Sequence, residues 1–201
     1  MTPANPDAEP DWDTDRLDVL LASIWRSFEA GCRNRTSAFR NVVVATTGTD
    51  GRPNARIVVL RAVDGETGLI EFHTDARSAK VGELTRSGAV ELLFWDPVSS
   101  VQIRVSGLAT LHEPGSEEAA RALAPIPDAG RVKYRTDPAP GTVIAAPDML
   151  DQADAGSVVE RFTLVRVHAQ AIDFLRLVDG SQRRAVFDRR AGLMAAAWIS
   201  P

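Results

Sequence analysis

The sequence predicts one mainly β, barrel-like domain with a few flanking helices. Three observations carry that expectation. Short runs rich in Val, Ile and Thr recur along most of the 201-residue chain, as half-buried pleated strands require. Gly-containing turns separate them, and the early connections are too short for crossovers, so neighbouring strands should pair antiparallel. No internal repeat is present, and no linker has a domain on each side.

Taken in order, residues 1–12 read as a disordered or loosely docked arm, and residues 13–201 as the single domain. The arm, MTPANPDAEPDW, is acidic and Pro-rich. It has neither a basic n-region nor an apolar h-region, so it does not read as a signal peptide. Leu17, Leu20, Leu21, Ile24, Trp25 and Phe28 then fall on one helical face. Asp13 and Thr14 are the expected N-caps and Gly31 the expected stop. Phe39–Thr47 is a first strand. Asp50-Gly51 makes a hairpin turn, because type I′ turns need positive φ. Ala55–Val63 is the second strand, and Gly65–Gly68 turns into a third, Leu69–Thr74.

Arg77–Arg86 reads as a short helix. Ala89–Trp95 and Val101–Leu111 are strands joined through Asp96-Pro97. Pro114–Leu123 looks helical, with Glu117 and Glu118 suited to the positive helix end. Pro125–Pro147 holds five prolines and reads as a long loop. Glu160–Val178 reads as two strands. Asp179-Gly180 turns into Arg183–Phe187, and Gly192 leads to a last strand ending at Trp198.

Composition narrows the function. Hydrophobic residues are 44% and charged residues 25%, as in an ordinary soluble core. A net charge of −4 argues against bulk attraction to nucleic acid or anionic membrane. It leaves room for a local basic pocket that takes a small phosphate. No apolar run approaches the ~20 residues of a membrane span. The lone Cys32 cannot form an internal disulfide, which suits a reducing cytosol. Glycine-rich nucleotide loops and the Gly-x-Ser-x-Gly elbow are absent. His73, His112 and His168 are far apart in sequence, without metal-ligand spacing.

Three segments carry chemistry. In Arg56–Arg61 two arginines bracket an apolar strand, on opposite faces by simple alternation. In Phe72–Lys80 a strand ends and Ser78 and Lys80 arrive at a helix start. A hydroxyl, an ammonium and free helix amides converge there, as a phosphate site requires. In Gln102–Gly107, Gln102 and Arg104 share one face of a strand.

In this order, with Leu92–Trp95 between the second and third, these segments resemble the FMN-binding signature of the pyridoxamine 5'-phosphate oxidase family. The resemblance is good over residues 36–111 and weak beyond. It implies a six-stranded antiparallel split β-barrel and a homodimer with FMN bound between subunits. It implies that Arg56, Arg61, Ser78 and Lys80 hold the phosphate and ribityl chain. The backbone of Ile57, Val58, Val59 and Leu60, with His73 and Thr74, would line the ring, and Gln102 and Arg184 would also reach the flavin. Three features depart from the family. Leu175 stands where the family has an aromatic Trp near the flavin. Ala79 stands where the family has a phosphate-binding Arg, with Arg77 nearby as a substitute. Gly180–Arg184 stands where the family has Arg-x-His-Asp-Arg, the motif that grips the pyridoxal substrate.

The expected function is a cytoplasmic, FMN-dependent oxidoreductase acting on a small-molecule substrate or electron donor. The alternatives are a flavin carrier or sensor, or a barrel binding haem or deazaflavin. His73 is the acid–base candidate, and Arg104 or Arg131 could meet an anionic substrate. Lys133, outside the motif, is expected to matter little for FMN.

Overall fold

The computed structural model describes residues 9–189 and 194–201. Six antiparallel strands close into a barrel: β1 (Asn41–Thr47), β2 (Pro53–Asp64), β3 (Leu69–Asp75), β4 (Ala89–Asp96), β5 (Val101–His112) and a long strand, Phe162–Arg176. Their order is β3-β2-β1-β4-β5, and the long strand pairs with both β3 and β5 to close the ring. Val42, Val44, Leu60, Phe72, Leu92, Phe94, Ile103 and Val105 point inward and are buried. Alternation, which puts every second side chain on one face, thus builds the core.

Helices close the ends of the barrel. α1 (Leu17–Arg33) buries Leu20, Ile24, Trp25 and Phe28. Phe28 stacks on Phe94 at 4.1 Å between centroids. The helix runs two residues past Gly31, contrary to the expected stop. Gly31 is needed for close approach: a Cβ there would lie 2.7 Å from the Phe39 carbonyl oxygen. The expected caps also differ, since Arg16 is the N-cap and makes no side-chain cap bond. At the other end sits α2 (Ala79–Ser87) with Glu83 and Leu84 buried.

The segment expected as a loop holds more structure. After α3 (Glu117–Leu123) come α4 (Asp128–Arg131) and a one-turn 3-10 helix at Val132–Tyr134. Next is a pair of two-residue strands, β6 (Thr136–Asp137) and β7 (Asp151–Gln152), followed by α5 (Ser157–Arg161). Ala119, Leu123, Tyr134, Val158, Phe162 and Leu164 form a second small core beside the barrel.

The two strands expected within Glu160–Val178 are one, β8 (Phe162–Arg176). Its inward residues are odd-numbered up to Ala169 and even-numbered from Ile172. Gln170 is the extra residue that shifts the phase, because Ser106 pairs with Ala171 and Gly107 with Ala169. β9 (Arg183–Asp188) and β10 (Ala195–Ile199) extend the sheet from the far half of β8. Gly192 lies outside the described residues, as do residues 1–8 of the expected arm. Trp12 is buried and stacks on Phe174 at 5.7 Å.

Candidate functional site

The barrel is split between β2 and β3. Their ladder runs from Asp64↔Leu69 to Leu60↔Phe72 and then stops. Beyond that point β2 continues with β1 as far as Pro53, and β3 continues with β8 as far as Asp75. Residues 53–59 therefore have no ladder partner on their β3 side. Backbone N–H and C=O groups facing such a gap are obligatory hydrogen-bonding groups without a strand partner.

A cleft of about 250 Å³ occupies the split. Ile57, Val59 and Arg61 line it from β2 and His73 from β3. Val58 and Leu60 point into the core, so their side chains stay out of reach. Arg61 sits at a bulge, because Leu60 pairs with Phe72 and Ala62 with the adjacent Glu71. The bulge shifts the inward set from Val58 and Leu60 to Val63, while Arg61 keeps the side of Ile57 and Val59. Its Nε is buried without a partner. Burial, and next to it the Arg40 charge, push its proton affinity down.

The start of α2 forms one end of the cleft. Lys80 Nζ donates to Thr74 Oγ1 at 2.9 Å and to Ser78 Oγ. Burial and then the nearby Arg56 guanidinium lower the Lys80 pKa. Ser78 is the N-cap of α2, yet its side chain does not cap the helix. The first-turn amides of an α-helix have no intrahelical acceptor. Val81 N–H already donates to the Ser78 carbonyl at 2.9 Å, so a hydroxyl, an ammonium and the earlier first-turn amides meet at one point, the kind of donor set that a phosphate dianion accepts from.

Arg56 is committed elsewhere. Its Nη2 donates to Glu83 at 2.8 Å and its Nη1 to Thr46. Glu83 is 5% exposed and also accepts from Thr46 and Asn54. Alternation points Arg56 toward the α2 end of the barrel, out of the split. Arg77 does not replace the residue missing at Ala79. It pairs with Asp75 at 2.8 Å and Asp137 at 2.7 Å. Asp137 also meets Arg161 at 3.0 Å. These pairs tether the 128–140 segment over the cleft.

That segment brings two residues the motifs did not flag. Lys133 and Tyr134 both line the cleft, so Lys133 is not the bystander expected. The Tyr134 hydroxyl is buried without a partner, and burial pushes its pKa up to about 12. His73 packs edge-on against Phe162 at 4.8 Å. Burial, then the Arg61 and Lys133 charges, pull its pKa down to about 3. A neutral imidazole at working pH can orient a ligand by hydrogen bonding but is not a ready proton donor.

Gln102 and Arg184 lie apart from the cleft on the outer face of the sheet. Three strand spacings separate β2 from β5, or about 14 Å. Arg184 pairs with Asp173 at 2.8 Å, and Arg104 pairs with the same carboxylate at 2.5 Å. Arg131 donates to the Ile126 and Leu123 carbonyls and braces its own turn. Among the described residues no group of three or more His, Cys, Asp or Glu could hold a metal.

Residues 22–113 match the family model described as pyridoxamine 5'-phosphate oxidase, FMN-binding domain. A pyridoxine/pyridoxamine 5'-phosphate oxidase of Burkholderia lata is 35% identical over 121 residues, 59% of this chain and 55% of that protein. One from Chromohalobacter salexigens is 36% identical over 80 residues, 40% of this chain and 36% of that one. The matched segment thus spans little more than half of these relatives at most. Among solved structures, a pyridoxamine 5'-phosphate oxidase-related, FMN-binding protein from Nostoc punctiforme superposes with a TM-score of 0.73. It is 23% identical, and the match covers 90% of this chain and 96% of that one. PhzG from Burkholderia lata, in complex with tetrahydrophenazine-1-carboxylic acid, gives 0.66 at 19% identity, covering 100% and 98%.

Proposed function

This chain is related to the pyridoxamine 5'-phosphate oxidase-like FMN-binding split barrels, and from that premise we propose that it is an FMN-dependent oxidoreductase acting on a small molecule as a homodimer. One observation carries the reading. The β2–β3 split sets an unpaired strand edge beside Lys80, Ser78 and Arg61, and no carboxylate in the described structure pairs with Lys80 or Arg61. That combination fits a planar, edge-hydrogen-bonding ring that carries a phosphate tail.

Lys80, Ser78 and the first-turn amides of α2 would hold the phosphate, with Arg61 nearer the ribityl chain or ring. The backbone of residues 57–59 would meet the ring edge, and His73 would offer a neutral hydrogen bond. Lys133, Tyr134 and Pro140 would cover the cleft and exclude water. FMN, when bound, would supply the hydride chemistry. A cytosolic location belongs to the same reading, with half-buried Cys32 kept reduced.

The dimer follows from what one chain leaves unfinished. Ile57 lines the cleft yet is 68% exposed, and Trp95 on the same outer face is 44% exposed. Gln102 and Arg184 sit on that face too far away to reach their own cleft. A second copy seated there would cover the apolar side chains and bring Gln102 and Arg184 to its partner's flavin.

Pyridoxamine 5'-phosphate is expected to be a poor substrate. Arg183, the nearest stand-in for the missing motif, is held by Asp15, the Thr14 carbonyl and the Trp198 ring. Losing paired substrate contacts costs on the order of 3 kcal/mol, or about a hundredfold in kcat/KM relative to a true oxidase. The absorption spectrum of the purified protein and identification of the released chromophore test the proposal. Released FMN that is bleached by a reductant and recovers with an acceptor supports it. A haem or deazaflavin spectrum would overturn it, and FMN that cannot be reduced on the protein would leave a carrier.

A further inference from the structure

Glu83 is a buried carboxylate that the proposed chemistry leaves unused. It sits on α2, 5% exposed, one helical turn after Lys80. Three donors from two strands converge on it. The Thr46 hydroxyl of β1 reaches one oxygen at 2.5 Å, and Arg56 Nη2 of β2 reaches the same oxygen at 2.8 Å. Asn54 Nδ2 of β2 reaches the other oxygen at 2.7 Å. Arg56 Nη1 also donates to the Thr46 hydroxyl, so the four side chains form one closed cluster.

Placement accounts for this cluster better than stability does. Desolvating a buried ion pair can cost as much as the pair returns, so Glu83 and Arg56 add little net stability. α2 already has an apolar anchor in Leu84, 2% exposed, and Arg86 ties its far end to the Thr47 and Gly48 carbonyls. Those contacts hold the C-terminal half of the helix. Apart from Lys80 itself, Glu83 is the polar side chain of α2 nearest the first turn, where Ser78, Lys80 and the earlier amides meet. Hydrogen bonds are narrow in distance and angle, so three of them to one carboxylate fix the rotation of the helix as apolar packing does not. Donors that act together on one ligand have to be held within roughly 0.5 Å.

We infer that Glu83 is the positioning residue for the phosphate end of the cleft, and that Arg56 serves this end through Glu83 rather than by touching the phosphate. Both Nη atoms of Arg56 are spent inside the cluster. The inference rests on the phosphate site proposed above. It also sets this chain apart from the family resemblance, which implies that Arg56 holds the phosphate itself.

Titration of flavin-free protein with FMN and with riboflavin, read by fluorescence quenching, tests this. Glu83→Ala should weaken FMN about tenfold or more, the equivalent of one charge-assisted hydrogen bond, and leave riboflavin within about twofold. Glu83→Gln, which keeps the shape and an acceptor oxygen, should recover most of the loss. Adding Arg56→Gln to Glu83→Ala should cost no further FMN affinity, because the two side chains act as one unit. A directly binding Arg56 predicts the reverse: FMN held or tightened in Glu83→Ala, and a steep further loss in the double variant. That result, or equal losses of FMN and riboflavin, would overturn the inference. Should Glu83→Ala fail to fold, Thr46→Val removes the β1 bond at constant shape and should weaken FMN several-fold relative to riboflavin. If the phosphate site itself is wrong, wild-type protein will bind both flavins alike. Hydrogen exchange then decides: Glu83→Ala should speed exchange of the α2 amides, and unchanged protection would overturn the clamp.

Discussion

Arg61 and Arg56 look equivalent in the sequence, five residues apart on one strand, yet they do different work. Alternation sends Arg56 toward Glu83 at the barrel end. The same alternation puts Arg61 with Ile57 and Val59 on the split side. Alternation alone puts the two on opposite faces, but which face meets the split depends on where the β2–β3 ladder stops. Ser78, Lys80 and His73 were legible, since their local strand-to-helix step sets their placement. Lys133 and Tyr134 were not. They reach the cleft only because Arg77, Asp137 and Arg161 tie a Pro-rich segment down across it, and no periodicity marks such a contact. Lys133→Ala is therefore expected to weaken ligand binding several-fold, as titration would read. His73 makes a pH prediction. Its pKa in the fold is pulled down to about 3, below the ordinary imidazole value of 6.5. The unfolded chain then binds a proton that the folded one refuses, so this contribution is intact above about pH 6.5 and is lost as pH falls toward 3. In denaturant melts from pH 7 to 4, His73→Asn should lose less stability than wild type. An equal loss would contradict the buried, neutral imidazole.

Among the elements, glycines mark where close approach matters more than helix or strand propensity. A Cβ on Gly107 would lie 2.5 Å from the His168 carbonyl oxygen, where β5 crosses the bulge of β8. Gly107→Ala should cost about 1–3 kcal/mol, since backbone must shift to admit the methyl. Thermal melts should show the midpoint fall by roughly 2–10 °C. An unchanged midpoint would mean that the crossing relaxes freely. Strand existence was legible almost everywhere, because the inward residues of β1, β4 and β5 alternate cleanly. In the sequence the long β8 reads as two strands. One extra residue at Gln170 flips the inward set, and a phase flip in a sequence resembles a break.

At the scale of the whole molecule, the barrel leaves the apolar side chains of Ile57 and Trp95 exposed on its outer face. Among the described residues no helix is long and apolar enough to cross a membrane. A second copy is the expected cover, with an obligate-class interface above roughly 2,000 Å² in total. Light scattering of the flavin-loaded protein should give twice the mass of one chain, and Ile57→Asp should shift it toward monomer. A wild-type monomer at micromolar concentration would contradict the dimer. A barrel-like class was legible because many short strands and tight turns have few other solutions, whereas the six-strand count came only with the family resemblance and closure through β8 pairing on both edges was not legible.

The central claim is that the split holds a flavin by its phosphate. Quenching of flavin fluorescence, with FMN and riboflavin titrated separately into flavin-free protein, tests it most directly. Charge-assisted hydrogen bonds contribute roughly 1.5–3 kcal/mol each. FMN should therefore bind far more tightly than riboflavin, and Lys80→Ala should weaken FMN about 10- to 100-fold while leaving riboflavin nearly unchanged. Equal affinity for the two flavins, or no loss of FMN in Lys80→Ala, would contradict the assigned site even with the barrel intact.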